Sequence, residues 1–299
     1  MLSVVITAWN EEKNLPRVVS SVKKFADEIV VIDTASTDAT AAVAKKLGCK
    51  VYRHKYSGIV EPVRNFSISK ARGDWILLLD ADEEIPASLS ERVQRILSHP
   101  DADYYRLPRK NLVFGQWIKS AHWWPDYVYR LFKKGSVSWE DAIHSVPYTR
   151  GTGLDLPAQE DFTIIHHHYS SISQYVDRLN RYTDHQLQPL LDSGYNFAWT
   201  DLVDKPLSEF LNQYFARRGY SEGVHGLALA GLQAFSELVL YLKLWQHSGF
   251  VPTQVSSSTL TSRLSAKAQE YHWWSYQARI DTAHPLIKPF FKLVRKFGL

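Results

Sequence analysis

The first hundred residues constrain the fold more tightly than any other part of the chain. Short apolar runs at residues 2–7, 28–32, 50–53 and 75–79 alternate with segments 11–25, 37–47 and 60–71, which read as helical. Within the first of these helical segments, Leu15, Val18, Val19 and Val22 fall on one side. The run Trp75-Ile76-Leu77-Leu78-Leu79 shows no polar alternation, as expected of a strand covered on both faces. Strands alternating with helices of this length predict βαβ units and a parallel sheet. Right-handed crossovers then place helices on both sides.

In such sheets ligands gather at the carboxyl ends of the strands. Three of those ends are polar: Thr7-Ala8-Trp9-Asn10-Glu11-Glu12, Asp33-Thr34-Ala35-Ser36-Thr37-Asp38, and Asp80-Ala81-Asp82-Glu83-Glu84. The crowded acids of the third repel one another unless something positive sits among them. Taken alone, they read equally well as acids at a helix N-terminus, where the dipole favours them. An Asp-x-Asp pair at a strand end also offers hard oxygen ligands of the kind Mg²⁺ or Mn²⁺ takes, with water and substrate phosphate completing the shell. Asp33 is placed to accept a hydrogen bond from a base or ribose, and Arg64 to meet a phosphate or base edge. No P-loop and no Gly-x-Gly-x-x-Gly occurs here, which counts against an ATPase and a Rossmann dehydrogenase.

Beyond residue 100 the pattern changes. Aromatic, strand-like segments at 104–108, 127–132 and 162–165 suggest an antiparallel extension of the sheet, and segments 172–191, 205–218 and 224–246 read as helices. Residues 251–261, rich in Ser and Thr, read as a linker. The apolar stretch 226–242 is interrupted by Gln233 and Glu237 and falls short of the roughly 20 apolar residues a bilayer span needs. It reads as a buried or interfacial helix. A net charge of +4 over 299 residues does not suggest nucleic-acid binding. The single cysteine, Cys49, excludes an intrachain disulfide and reads as a small buried residue. The amino terminus shows neither a basic start nor a cleavage site, so a cytoplasmic location is expected.

The segments Val4-Val5-Ile6-Thr7-Ala8-Trp9-Asn10-Glu11-Glu12, Ile32-Asp33-Thr34-Ala35-Ser36-Thr37-Asp38 and Arg64-Asn65-Phe66, with Ala71 through Glu83, resemble the ordered motifs of family 2 glycosyltransferases with the GT-A fold. Gly115-Gln116-Trp117-Ile118, Trp124-Pro125-Asp126 through Lys133, His166 with Tyr169, and Gly223-Val224-His225-Gly226 narrow the resemblance. They are similar to the bacterial branch that adds sugars to lipopolysaccharide core, the β-1,4-glucosyltransferase group. The resemblance covers roughly residues 1–247.

It implies an α/β GT-A catalytic domain over residues 1–170, its nucleotide-binding half at about 1–100 and its acceptor half at about 101–170. Helices at 171–250 would complete that domain; beyond the resemblance, the residues of 251–299 themselves read as a linker and a basic amphipathic tail. It further implies that Thr7, Ala8, Trp9, Glu11, Asp33, Arg64, Asp80, Ala81 and Asp82 line the nucleotide-sugar pocket. Asp82 would be the main ligand of Mg²⁺ or Mn²⁺, with Asp80 and His166 beside it. The implied reaction is inverting transfer of a hexose from a nucleotide-diphospho-sugar, UDP-linked, to a lipid-borne or core-oligosaccharide acceptor. Inversion by single displacement needs a base. Where the branch shows His-Glu, this chain reads Ile143-His144-Ser145-Val146, which leaves Asp141, Glu140 and Asp126 as candidates. Transfer to polyprenyl phosphate and a non-catalytic sugar-binding scaffold are the alternatives.

Three consecutive histidines, His166-His167-His168, alternate in direction on a strand, so at most two share one metal. The bland alternative is packing with one hydrogen-bonded ring. The run Trp123-Trp124 reads either as core or as a stacking platform for a sugar. At the carboxyl end, Leu286, Ile287, Phe290, Phe291, Val294 and Phe297 share one side of a helix, while Lys288, Lys292, Arg295 and Lys296 take its flank and back. The expected partner of this tail is an anionic membrane surface, making the protein peripheral on the inner face of the membrane.

Overall fold

A computed structural model describes residues 1–55, 61–140 and 146–297, with the side chains of 61, 62 and 297 outside that description. The chain divides into two compact units. One comprises Met1–Trp117 with Trp123–His168, the other Ile118–His122 with Tyr169–Leu299.

The first unit opens with β1 (Leu2–Ala8), α1 (Leu15–Val22), β2 (Glu28–Asp33), α2 (Thr40–Lys46), β3 (Lys50–Arg53), α3 (Glu61–Ser69) and β4 (Trp75–Asp80). It continues through β5 (Glu83–Glu84), α4 (Ala87–Ser98), β6 (Tyr104–Val113), β7 (Gln116–Trp117), β8 (Asp126–Lys133), β9 (Val137–Ser138), β10 (Tyr148–Thr149), β11 (Gly153–Asp155) and β12 (Ile164–Tyr169). The large sheet runs β3-β2-β1-β4-β8-β6-β12-β5. Its first four strands are parallel, and β4 then pairs antiparallel with β8, and β8 with β6.

The unbroken apolar runs have a direct cause. On one face Val4, Ile6, Leu77 and Leu79 pack with Leu15, Val18 and Val22 of α1 and with Leu89 and Val93 of α4. On the other, Val5, Ile32, Ile76 and Leu78 pack with Val63 and Ile68 of α3 and with Trp139. Both faces of the period-two pleat are therefore dry.

Helix α4 was hidden by the acids before it. Its buried residues Leu89, Val93 and Ile96 have helical spacing, yet its first turn carries no acid. Glu83 and Glu84 instead form β5, pairing antiparallel with His166 and Ile165 of β12. The acids are part of the sheet and do not cap a helix.

The second unit holds α5 (Ile172–Asp192), α6 (Asp201–Leu211), α7 (Val224–His247), α8 (Ser257–Thr282) and α9 (Lys288–Phe297). The expected helix at 205–218 begins earlier and ends in a π turn, Asn212–Ala216. A Cβ on Gly226 would lie 1.8 Å from the Gly219 carbonyl oxygen, so the start of α7 admits no side chain there. One side of α7 buries Leu229, Ala230, Leu240, Tyr241 and Leu244, while Val224, Leu227, Phe235 and Leu242 are exposed. The linker expected at 251–261 is shorter than that. Ser256 caps α8 by accepting from the Thr259 N–H at 3.4 Å, and the helix runs on through Thr282.

Candidate functional site

Register brings the polar strand ends level, with Ala8 opposite Asp33 and Thr7 opposite Asp80. The loops after β1 and β2 are stitched together. Thr37 N–H donates to Asn10 Oδ1 at 2.8 Å, Ala39 N–H to Glu12 Oε2 at 2.9 Å, and Glu11 N–H to Thr40 Oγ1 at 2.7 Å. Asn10 and Ala35 both hold positive φ, 56° and 61°; for alanine this is uncommon and marks a constrained rim.

Asp33 is wholly buried. Its Oδ1 accepts from Ser36 N–H at 3.0 Å, and Arg53 Nε stands 3.5 Å from Oδ2. Beyond that ion-pair contact Oδ2 has no hydrogen-bond donor among the described residues, and a buried oxygen of this kind can take one. The Thr7 hydroxyl lies 3.5 Å from Ser67 Oγ. Ala8 and Ala81 are buried, and the Ala8 carbonyl already accepts from Thr34 N–H and hydroxyl at 2.9 and 3.1 Å. Trp9 is half-exposed, and Glu11 accepts from Asn14 Nδ2 at 2.6 Å.

The acids at the end of β4 are held by arginines. Asp80 pairs with the buried Arg130, and Arg64 Nη2 lies 4.0 Å from its other oxygen. Arg130 Nη2 also donates to Glu83 Oε1 at 2.7 Å, and Glu83 Oε2 accepts the Asp80 N–H at 3.0 Å. Arg109 reaches Glu83 at 3.4 Å and donates from Nε to Asp126 Oδ2 at 2.9 Å. Asn111 Nδ2 donates to the same Asp126 oxygen at 3.0 Å, while its Oδ1 meets His166 Nδ1 at 2.6 Å. His166 Nε2 stands 3.5 Å from Asp82 Oδ2 and 3.2 Å from His168 Nδ1. One hydrogen-bonded chain thus spans β4, β5, β6, β8 and β12. Burial alone would push the Asp80 carboxyl up, but Arg130 and then Arg64 outweigh it and hold it below the usual carboxylate range. Burial pulls the Arg130 guanidinium down, and Asp80 and Glu83 more than reverse this.

Asp80, Asp82 and His166 do not close as one cluster. Among the described residues no three His, Cys, Asp or Glu side chains are grouped to hold a metal, because Asp80 is turned toward Arg130. Asp82 and His166 remain as a partial donor set, which suits a cation that takes one or two protein ligands and fills its shell from water and phosphate.

Of the candidate bases, Asp141 lies outside the described residues. Asp126 is already the acceptor for Arg109 and Asn111. Glu140 is exposed and accepts from the Tyr148 hydroxyl. It follows Trp139, whose N–H and carbonyl are bracketed by the Asn65 amide at 3.0 and 2.6 Å, with Arg64 5.1 Å over its ring. Ser67, Glu83, Arg109, Asn111 and Arg130 were not anticipated in this site. A signal for Arg130 did exist: a lone cation in the apolar run Tyr127 to Phe132 must find an anion once the strand is buried.

Among known proteins, residues 3–150 match the family described as glycosyl transferase family 2. An uncharacterized glycosyltransferase of Rickettsia typhi is 31% identical over 263 residues, 81% of this chain and 86% of its own length. The lipopolysaccharide core biosynthesis glycosyltransferase LpsC of Rhizobium meliloti is 22% identical over 254 residues, 82% of this chain and 92% of that one. Among solved structures, S. aureus TarS in complex with UDP-GlcNAc aligns at a TM-score of 0.35 and 27% identity. That alignment covers 39% of this chain and 36% of that chain.

Proposed function

The chain belongs to glycosyltransferase family 2, and from that premise we propose that it moves a hexose, with inversion, from a UDP-linked sugar to a lipid-borne or lipopolysaccharide-core saccharide. The observation that carries the donor half is Asp33, a buried carboxylate at the rim whose Oδ2, 3.5 Å from Arg53 Nε, has no hydrogen-bond donor among the described residues. A uracil N–H or ribose hydroxyl meets that need. Arg64, between Asp80 and the Trp139 ring, is assigned to the diphosphate. The core-saccharide acceptor is supported by the relative LpsC, named for lipopolysaccharide core biosynthesis, which aligns over most of both chains.

Asp82 and His166 are assigned to Mg²⁺ or Mn²⁺, which would supply Lewis-acid stabilisation of the departing diphosphate. Arg130 keeps Asp80 ionised and in place beside them. With Asp126 engaged by Arg109 and Asn111, the base is assigned to Glu140 or Asp141, next to the anchored Trp139. The catalytic domain is assigned to residues 1–170, with the helices that follow completing it.

The exposed Leu286, Ile287, Phe290 and Leu293, beside Lys292 and Lys296, support placing the protein peripherally on an anionic inner membrane face. The central test is nucleotide release from a panel of UDP-, GDP- and dTDP-sugars with Mn²⁺. Release from a UDP-sugar by the wild type, lost in Asp82→Ala with the circular dichroism spectrum unchanged, is expected. Release from none of the sugars, or an unimpaired Asp82→Ala, would sink the reading.

A further inference from the structure

We infer that Asn111 is a positioning residue which fixes the tautomer of His166, so that its bare Nε2 faces Asp82. This rests on the cation site proposed above. The argument starts from Asn111, which is almost fully buried, as is His166. The Asn111 Nδ2 lies 3.0 Å from Asp126 Oδ2 and 3.1 Å from the Trp123 carbonyl oxygen. Both neighbours are pure acceptors, so the amide nitrogen must face them and cannot be exchanged with Oδ1.

Oδ1 is then the atom 2.6 Å from His166 Nδ1. An amide oxygen only accepts, so Nδ1 carries the proton. In the form that can bind a cation the imidazole has one N–H, so Nε2 then keeps its lone pair. That lone pair lies 3.5 Å from Asp82 Oδ2. His168 Nδ1, 3.2 Å away, is the N–H that satisfies Nε2 in the protein alone. The His168 ring is in turn set edge-on at 5.3 Å from Trp123, whose carbonyl also holds Asn111. The Trp-rich run therefore acts here as a brace for the histidine pair. Outer partners of this kind orient a ligating imidazole and typically change metal affinity 10- to 100-fold when removed.

Two measurements test the inference. In ¹⁵N-histidine-labelled full-length protein without metal, His166 (assigned by loss of its signals in His166→Ala) should show a pyrrole-type Nδ1 and a pyridine-type Nε2. The reverse pattern overturns the inference. In the second, Mn²⁺ binding in the presence of UDP is compared for Asn111→Leu and Asn111→Asp. Both variants lose the N–H bonds to Asp126 and Trp123, and both are made in an Asp126→Asn background, so that in Asn111→Asp the new carboxylate meets an amide and keeps an acceptor for Nδ1. Binding roughly 10- to 100-fold weaker in Asn111→Leu and within about threefold of the Asp126→Asn parent in Asn111→Asp is expected. Equal weakening in both means a purely structural brace and overturns the inference. If Asn111→Leu does not fold, the Asn111→Asp protein and the wild-type tautomer still decide. Wild-type binding that His166→Ala leaves intact would sink the cation assignment instead, and the tautomer result would stand apart from it.

Discussion

Asp33 carries two demands on one carboxylate: one oxygen fixes the turn after β2 through Ser36, and the other, beside Arg53, has no hydrogen-bond donor among the described residues. Asp33→Ala is expected to weaken UDP binding by calorimetry roughly 10- to 100-fold. That is the equivalent of about 1.5–3 kcal/mol for one charge-assisted bond, and the loss should fall on binding more than on turnover. Unchanged affinity would remove Asp33 from the pocket. For the base, Glu140→Gln and Asp141→Asn each keep size and lose the proton acceptor. One of them should bind UDP normally and fail to transfer; two variants transferring at the wild-type rate would place the base elsewhere. The motifs were legible at this scale because strand ends label themselves by a switch from apolar to polar residues. The arginines that neutralise the acids were not, since Arg109 and Arg130 lie in β6 and β8 and meet Asp126, Glu83 and Asp80 only through strand pairing.

Among the elements, α9 departs most from its helical projection. The expected single apolar side is divided: Phe291 and Val294 are half-buried, whereas Leu286, Ile287 and Phe290 stay exposed, joined by Leu293 from outside that side. Arg295 is drawn inward, 4.9 Å over the Trp273 ring and bonded to Gln277. Helix α8 takes one apolar strip and leaves the other to face outward with Lys292 and Lys296. The paired substitution Phe290→Ser/Leu293→Ser alters only exposed side chains, so the fold should persist while co-sedimentation with anionic vesicles drops at least tenfold. That estimate follows from about 1.5–3 kcal/mol of burial lost per side chain. Equal sedimentation of variant and wild type would show that α9 is not the anchor. Helix α4 makes the complementary point. Its Leu89, Val93 and Ile96 periodicity is local, but the neighbouring acids suggested a helix start where the chain in fact forms β5.

At the scale of the whole molecule, Glu28 of β2 ties together β1, β3 and the turn after α3 in the first unit. It accepts from Ser3 Oγ at 2.6 Å, Arg72 N–H at 2.5 Å and Lys50 Nζ at 2.7 Å. Burial alone would raise its pKa, but Lys50, Ser3 and Arg72 outweigh burial and bring it from 4.5 to about 2. A carboxyl depressed by folding stabilises above its unfolded pKa and loses that contribution as pH falls toward the folded value. Urea midpoints should therefore decline from about pH 4.5 down to about 2 in the wild type. Glu28→Gln should be less stable by about 3 kcal/mol at neutral pH, from 1.36 kcal/mol per unit, and should lack that part of the decline. Parallel pH curves would contradict the assignment. By itself the sequence determined the alternating α/β class, the strand ends that bear the polar motifs and the helical carboxyl half, because periodicity and turn residues are local signals. Only tertiary structure decided that Asp80 pairs with Arg130, that Asn111 faces His166 and that α9 turns one apolar strip outward. These depend on register and packing between segments far apart in the chain, and the pattern of any one segment does not encode them.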